Sequence, residues 1–416
     1  MFFIPALSIL LALVSVSGSP LQPQAGFDWN NEKVRGVNIG GWLVLEPWIT
    51  PSIFQKQDGT VVDEYTLGAN GSNAASILKT HWDTWATLSD FQKIADHGFN
   101  TVRIPIGYWA YKKFDDPYIQ GAAPYIDKAI SWARKTGLKV YIDLHGAPGS
   151  QNGFDNSGQR ILKPAQPQWT TGNTVNETLG VIQLIANKYA QQKYQDVVVG
   201  IQLMNEPLAE SLPGGTDAVV QYYKDAYGNV RQVGNTTCIL HDAFQNGSFW
   251  NDVLTAPDSK NVVIDTHQYQ VFSTEELQRT PEEHRQFVCS HASTYSGNVD
   301  HWVIVGEWTA AMTDCAAALN GYGVGAKYDG NQPNAPRIGS CDSINFIDTW
   351  DQTLKDNTRK YIEAQIEVYE QMTNGWVFWN FKTEASAEWD LFRLIDAGVF
   401  PKLPLDSSNY QTACSY

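Results

Sequence analysis

Along the chain, short runs of consecutive apolar residues alternate with longer segments whose apolar positions recur every three or four residues. The first pattern predicts strands buried on both faces, and the second predicts amphipathic helices. Strands are predicted at Val34–Gly40, Thr101–Pro105, Lys139–Leu144, Val197–Met204, Thr237–His241, Asn261–Asp265, Trp302–Val305 and Trp376–Trp379. Helices are predicted at Leu88–His97, Tyr125–Thr136, Thr178–Gln192, Ala218–Val233, Thr274–Ser290 and Thr358–Met372, with a short helical piece at Phe249–Leu254. Gly98 and Gly137 supply stops for the first two. Eight strands with intervening helical segments predict an α/β fold, a single parallel (β/α)8 TIM barrel over residues 27–416.

Two connections far exceed the usual two to six residues. One runs from Gly41 to about Thr87, the other from Trp308 to about Thr349. Both follow strands, 1 and 7, so both belong to the C-terminal face of a barrel, where sites are built.

The polar residues ending the strands change the picture most. Strand 4 ends in Asn205-Glu206 before Pro207, and strand 7 in Gly306-Glu307-Trp308. A lone carboxylate at the end of an apolar run is expensive to bury and needs partners. Strands 4 and 7 lie roughly opposite each other in a barrel, so Glu206 and Glu307 are expected to face one another across its mouth. Two carboxylates flanking one bond are the requirement of glycoside hydrolysis: one donates a proton, the other attacks or activates water. Arg103, His145, His267, Tyr269 and Trp379 come from the other strand ends, with Glu46 just beyond strand 1. Arg103 has a structural alternative, an ion pair with Asp143, and both histidines could be satisfied core residues. Beside one carboxylate, Arg103 would keep it ionised, while a less polar setting would raise the other's pKa.

Composition narrows the class. The formal net charge of −15 and the lack of a basic patch to meet phosphates argue against nucleic acid, so no nucleic-acid partner is expected. Tryptophan (15) and tyrosine (19) are abundant enough to fill a core and also to stack on sugar rings. No Cys-x-x-Cys, His-x-His or His-x-x-x-His spacing points to a metal, and neither metal nor cofactor is expected. Residues 1–18 have the length and composition of a secretory signal, with further trimming to about residue 26 possible. Nothing else approaches membrane length, so a secreted, soluble monomer is expected. The sequons at Asn70, Asn176, Asn235 and Asn246 agree with export. Of five cysteines, Cys238 lies in an apolar run and reads as a buried free thiol. Cys315 and Cys341 share the second long loop, which favours one bridge there and a second from Cys289 to Cys414. That is one of three possible pairings.

Asn205-Glu206-Pro207 and Gly306-Glu307-Trp308 resemble the acid/base and nucleophile signatures of family 5 glycoside hydrolases. Longer strings are similar to the secreted fungal exo-β-1,3-glucanases within it: Arg35–Gly41 (RGVNIGG), Trp42–Ser52 (WLVLEPWITPS), Val102–Trp109 (VRIPIGYW), Ile142–Gly158 (IDLHGAPGSQNGFDNSG), His241–Phe244 (HDAF) and Tyr269–Ser273 (YQVFS). The similarity spans nearly the whole mature chain. It implies a retaining double displacement on β-glucan, with Glu206 as proton donor and later base, and Glu307 as nucleophile. It implies that Asn205 holds the sugar 2-hydroxyl, and that Arg103, His145, His267 and Tyr269 orient and polarise the carboxylates. Glu46 and Trp379 would hold the terminal glucose, with Asp155 and Asn156 nearby. Phe154 and Phe272 resemble the aromatic pair that clamps the next glucose. The disulfide pairing favoured above is also the family's. Thr266, Gln268 and Phe381 depart from the pattern and bear on subsite preference. Linkage (β-1,3, β-1,6, cellulose or mannan), exo against endo action, and a non-catalytic wall-binding role stay open at this level.

Overall fold

The computed structural model describes residues 26–296, 298–405 and 413–414; the signal-like segment 1–18 lies outside them. Eight parallel strands close into a barrel in sequence order. They are β1 (Val34–Asn38), β2 (Thr101–Gly107), β3 (Lys139–Gly146), β4 (Val198–Gln202), β5 (Thr237–His241), β6 (Val262–Gln268), β7 (Trp302–Trp308) and β8 (Gly375–Phe378). β2 to β5 are buried at every position, as expected of strands covered on both faces. Inside, Val34, Tyr141, Val199, Ile239, Val263, Ile304 and Val377 pack with Trp29 as an apolar cluster. Outside, a larger apolar layer joins strands to helices.

Helices Leu88–Asp96, Ala123–Thr136, Thr174–Tyr189, Gly215–Arg231, Pro281–Ser290 and Gln352–Met372 follow the strands. Local chemistry sets their ends. Thr87 and Asp90 exchange side-chain and backbone bonds as a capping box. Gly137, at φ 78°, stops the second helix. The single helix expected over Thr274–Ser290 is two, Thr274–Leu277 and Pro281–Ser290. Pro281 has no N–H to continue the first, and Thr280 and Glu283 cap the second. The crossover after β5 is a 3-10 turn, Gly247–Asp252. The long connection after β1 carries three short helices, Pro51–Gln55, Glu64–Asn70 and Ala74–Thr84. A third long connection, residues 147–173, follows β3 and was not among the expected ones.

Several expected strand ends move: β1 stops two residues short of Gly40, β2 and β3 run on two residues to Gly107 and Gly146, β7 runs on three and takes in Glu307, and β4 and β6 also change. β4 stops at Gln202, although Leu203 N–H still bonds Ile239 O (2.9 Å) and Asn205 N–H bonds Leu144 O (2.9 Å). β6 runs three residues past Asp265 and so includes His267. A register shift between Thr266 and His267 sets His267 opposite Glu307 on β7. Gly306 is required here, because a Cβ would fall 2.0 Å from an Asp265 carboxylate oxygen. Cys289 is bonded to Cys414 and Cys315 to Cys341, and Cys238 is free and buried. Asn70, Asn176, Asn235 and Asn246 are all exposed. Among the described residues, no helix is long and apolar enough to cross a membrane.

Candidate active site

The C-terminal ends of the strands converge on a cavity of about 820 Å³. Its floor holds Glu206, Glu307, His267, Tyr269 and Trp379. Its walls come from Glu46 and Trp48 after β1, Phe154 to Asn156 and Arg160 to Lys163 after β3, Phe244 after β5, Phe272 after β6 and Leu319 to Gly321 after β7. Loops thus stand on several sides of the floor. Phe154 and Phe272, 44% and 45% exposed, stand on the wall where a sugar could reach them.

Arg103 is the fixed point beneath the floor. It is fully buried on β2, and its guanidinium donates to Glu307 Oε1 (2.7 Å), Asn205 Oδ1 (2.6 Å), Asn38 Oδ1 (2.9 Å) and Gln202 Oε1 (2.8 Å). It also lies 3.1 Å from Asp143 Oδ2, so the ion pair with Asp143 and the contact with Glu307 coexist. Asn205 spends its oxygen on Arg103, and its buried Nδ2 has no partner among the described residues. That leaves an aimed donor for a ligand hydroxyl. Glu206 sits at φ 44°, in the left-handed region that costs a residue with a Cβ about 1–2 kcal/mol.

His267 joins the two carboxylates. Its Nδ1 lies 2.8 Å from Glu206 Oε1 and 3.4 Å from Glu307 Oε2. Even laid end to end, those two legs fall short of the roughly 6.5 Å at which inverting pairs begin. Asn156 donates to Glu206 Oε2 (2.8 Å), and the Tyr269 hydroxyl to Glu307 Oε2 (2.8 Å). His145 is oriented by Asp143 through Nδ1 (2.6 Å) and stacks on Trp379 with centroids 5.7 Å apart. Trp48 donates to Glu46 Oε2 (2.9 Å). Asp155 is held by its burial up to about 7, against the opposing charge of Arg160.

The protonation pattern differs from the expectation that the donor carboxyl would be the raised one. Burial raises Glu307, against the pull of His267 and Arg103. Burial also works to raise Glu206, but the hydrogen bond and charge of His267 overcome it and hold Glu206 at about 2. Burial works against a charge on His267, yet Glu307, Asp265 and the bond to Glu206 raise it well above the ordinary value. These opposed shifts favour the proton that a donor needs on His267, one hydrogen bond from Glu206.

A ring nitrogen of each of His241 and His267 and a Glu206 carboxylate oxygen lie within 4.8 Å of one another, close enough to suggest an ion. However, His241 Nδ1 accepts the Ala243 amide at 3.0 Å, so its neutral ring carries the proton on Nε2, which meets no hydrogen-bond partner among the described residues. Within the trio the hydrogen bond runs between His267 and Glu206, and His241 meets His267 by ring contact.

Known proteins agree with this geometry. Residues 67–324 match the model of cellulase, glycosyl hydrolase family 5. The chain belongs to glycosyl hydrolase family 5. Within family 5 it is 47% identical to the glucan 1,3-beta-glucosidase of Schwanniomyces occidentalis, over 94% of this chain and 92% of that protein. It is likewise 47% identical to the glucan 1,3-beta-glucosidase of Blumeria graminis, over 99% of this chain and 96% of that one. In fold it is similar to the crystal structure of rutinosidase from Aspergillus niger, with TM-score 0.72 and 22% identity over 90% of this chain and 100% of that one. The enzyme is thus a glycoside hydrolase.

All the site residues expected from the sequence lie in or beneath this one cavity. Sequence reasoning missed the residues that brace them. Asn38 and Gln202 hold Arg103, and Gln202 also donates to Asp265 Oδ2 (2.8 Å). Their signal was a polar residue inside an apolar strand. Trp48 and Trp389, which pack edge to face in the cavity wall, carried no signal beyond aromatic content.

Proposed function

We propose that this family 5 enzyme is a retaining exo-β-1,3-glucanase, releasing glucose from the non-reducing ends of β-1,3-glucan. The observation that supports retention is His267 Nδ1 in reach of both carboxylates, 2.8 Å from Glu206 and 3.4 Å from Glu307, which keeps their facing oxygens closer than the carboxyl spacing of inverting pairs. The names of the 47% identical relatives support the linkage. Walls from the β1, β3 and β7 loops support end-on entry of a chain, and so exo action.

In this reading Glu307 attacks the anomeric carbon from one face. Arg103 and Tyr269 hold both its oxygens and keep it aimed. Glu206 takes a proton from His267 across their 2.8 Å bond and passes it to the departing glycosidic oxygen, which leaves Glu206 ionised. The aglycone leaves, water takes its place, and Glu206 acts as base while the glycosyl–Glu307 ester is hydrolysed. Asn205 Nδ2 binds the 2-hydroxyl, an interaction that tightens as the ring flattens. Glu46 and Trp379 hold the terminal glucose, with Asp155 and Asn156 beside it, and Phe154 and Phe272 flank the next ring. Export to the cell exterior or wall, a role in fungal cell-wall glucan metabolism, a monomeric state and glycans on the exposed sequons complete the reading.

The test is mechanism-based labelling. A 2-deoxy-2-fluoro-β-glucosyl donor with a dinitrophenolate leaving group should inactivate the enzyme and add one fluoroglucosyl mass to the peptide holding Glu307. Label on another residue, or turnover retained by Glu307→Gln, would refute the nucleophile assignment.

A further inference from the structure

His241 ends β5, fully buried, and lies outside the cavity lining. Its ring meets that of His267 at 77° with centroids 4.4 Å apart. Phe244, a wall residue of the cavity, meets it at 67° and 5.0 Å. The turn that follows spends two consecutive left-handed residues with side chains, Ala243 (φ 52°) and Phe244 (φ 59°). Such conformations persist only where the surroundings over-determine them. Here they bring the Ala243 amide onto His241 Nδ1 (3.0 Å) and the Phe244 amide onto Asp242 Oδ1 (2.8 Å). The Tyr223 hydroxyl holds the His241 carbonyl (3.0 Å), and the Trp250 indole holds that of Asp242 (3.0 Å).

The result is an imidazole locked in one tautomer and one orientation. Burial and the nearby His267 keep it uncharged. The titratable groups facing this pair of rings are Glu206 after β4, Asp242 after β5, Asp265 on β6 and Glu307 on β7, with Arg103 and His145 further off. A neutral neighbour leaves His267 free to hold the proton among these carboxylates. A mobile or charged one would not.

We infer that His241 is a positioning residue for proton delivery: it braces the His267 ring so that Nδ1 stays on Glu206 Oε1. The inference rests on Glu206 being the acid/base. It ties Phe244 on the cavity wall to the acid through two ring contacts, by way of a histidine whose Nδ1 lies nearer Glu206 (2.8 Å) than Glu307 (3.4 Å).

His241→Asn tests it, because the Asn Oδ1 can stand where Nδ1 stood and keep the Ala243 amide paired while the ring is lost. Laminaribiose needs its leaving oxygen protonated; 2,4-dinitrophenyl β-glucoside does not. The expected result is a loss of about tenfold or more in kcat/KM on laminaribiose, against less than about threefold on the dinitrophenyl glucoside. His241→Phe, which keeps a ring against His267, should recover most of the laminaribiose rate. The ratio of the two substrates is read on one preparation, so partial misfolding cancels. Equal losses on both substrates, no loss at all, or no recovery with Phe would overturn the inference. Glu206→Ala is measured alongside and should show a larger selective loss, with azide restoring turnover of the dinitrophenyl glucoside. If Glu206→Ala fails to discriminate, the acid/base assignment falls. If it discriminates and His241→Asn does not, the role of His241 alone falls.

Discussion

Replacing Arg103 by methionine removes a charge on which two buried carboxylates depend. Arg103 is 2.7 Å from Glu307 and 3.1 Å from Asp143, and all three side chains are almost fully buried. Methionine fills similar space but leaves both carboxylates without their cation. Breaking a buried pair by deleting one partner costs about 3–5 kcal/mol. That is survivable within the roughly 5–15 kcal/mol margin of a folded domain, and it should lower the melting temperature by about 4–6 °C. The chemical effect is separable. Glu307 must be ionised to attack, burial already raises its pKa, and Arg103 is one of the charges holding it down. An opposite charge at this range is worth about 1–3 pKa units. Without it the protonated, inactive fraction grows, so activity begins to fail at higher pH as the pH falls. In the parent enzyme the acid limb of kcat/KM should already lie above the ordinary glutamate value of 4.5. In Arg103→Met it should rise by a further 1–3 units or so. Arg103→Lys should return the limb towards its original position without restoring kcat, because an ammonium has too few fixed donors for Gln202, Asn38, Asn205 and Glu307 together. The assay is kcat/KM on 4-nitrophenyl β-glucoside across pH, beside a melting curve at each pH. An unmoved acid limb in a folded Arg103→Met enzyme would refute the reasoning.

Three further outcomes are expected. Asn205→Ala should lower kcat/KM on glucosides about a hundredfold, near 3 kcal/mol, yet barely change it on 2-deoxyglucosides, as kinetics on the paired substrates would reveal. Phe272→Ala, which removes a wall ring 45% open to solvent, should raise KM for laminaribiose several-fold and leave that for β-glucosyl fluoride, which has no second ring, nearly unchanged. Cys315→Ser with Cys341→Ser opens a loop with a sequence separation of 26, costing up to about 3.5 kcal/mol by chain entropy. Since that loop carries Leu319 to Gly321 of the cavity wall, melting should drop and KM for laminarin should rise together.

The barrel was legible because its strands are buried on both faces, which leaves unbroken apolar runs. Legibility failed where polar side chains serve the site. β6 looked finished at Asp265 because Thr266, His267 and Gln268 are polar, yet backbone pairing with β7 continues through Gln268. β4 looked longer than it is, since Leu203 and Met204 are as apolar as a strand but only partly in the ladder. The helices inside the first loop are short and interrupted at Gly59 and Gly71, too brief for a period to register. Glu206 and Glu307 could be picked out as a pair because strand order alone puts β4 across from β7. The protonation pattern could not be read, because it depends on a 2.8 Å contact between His267 and Glu206 that spacing does not contain.

A retaining cut at a chain end is visible by proton NMR of laminarin in the first minutes of hydrolysis. β-Glucose should be the sole initial product, with the α-anomer arising later by mutarotation. Initial α-glucose would contradict double displacement through Glu307, and early laminari-oligosaccharides would contradict entry of a single chain end.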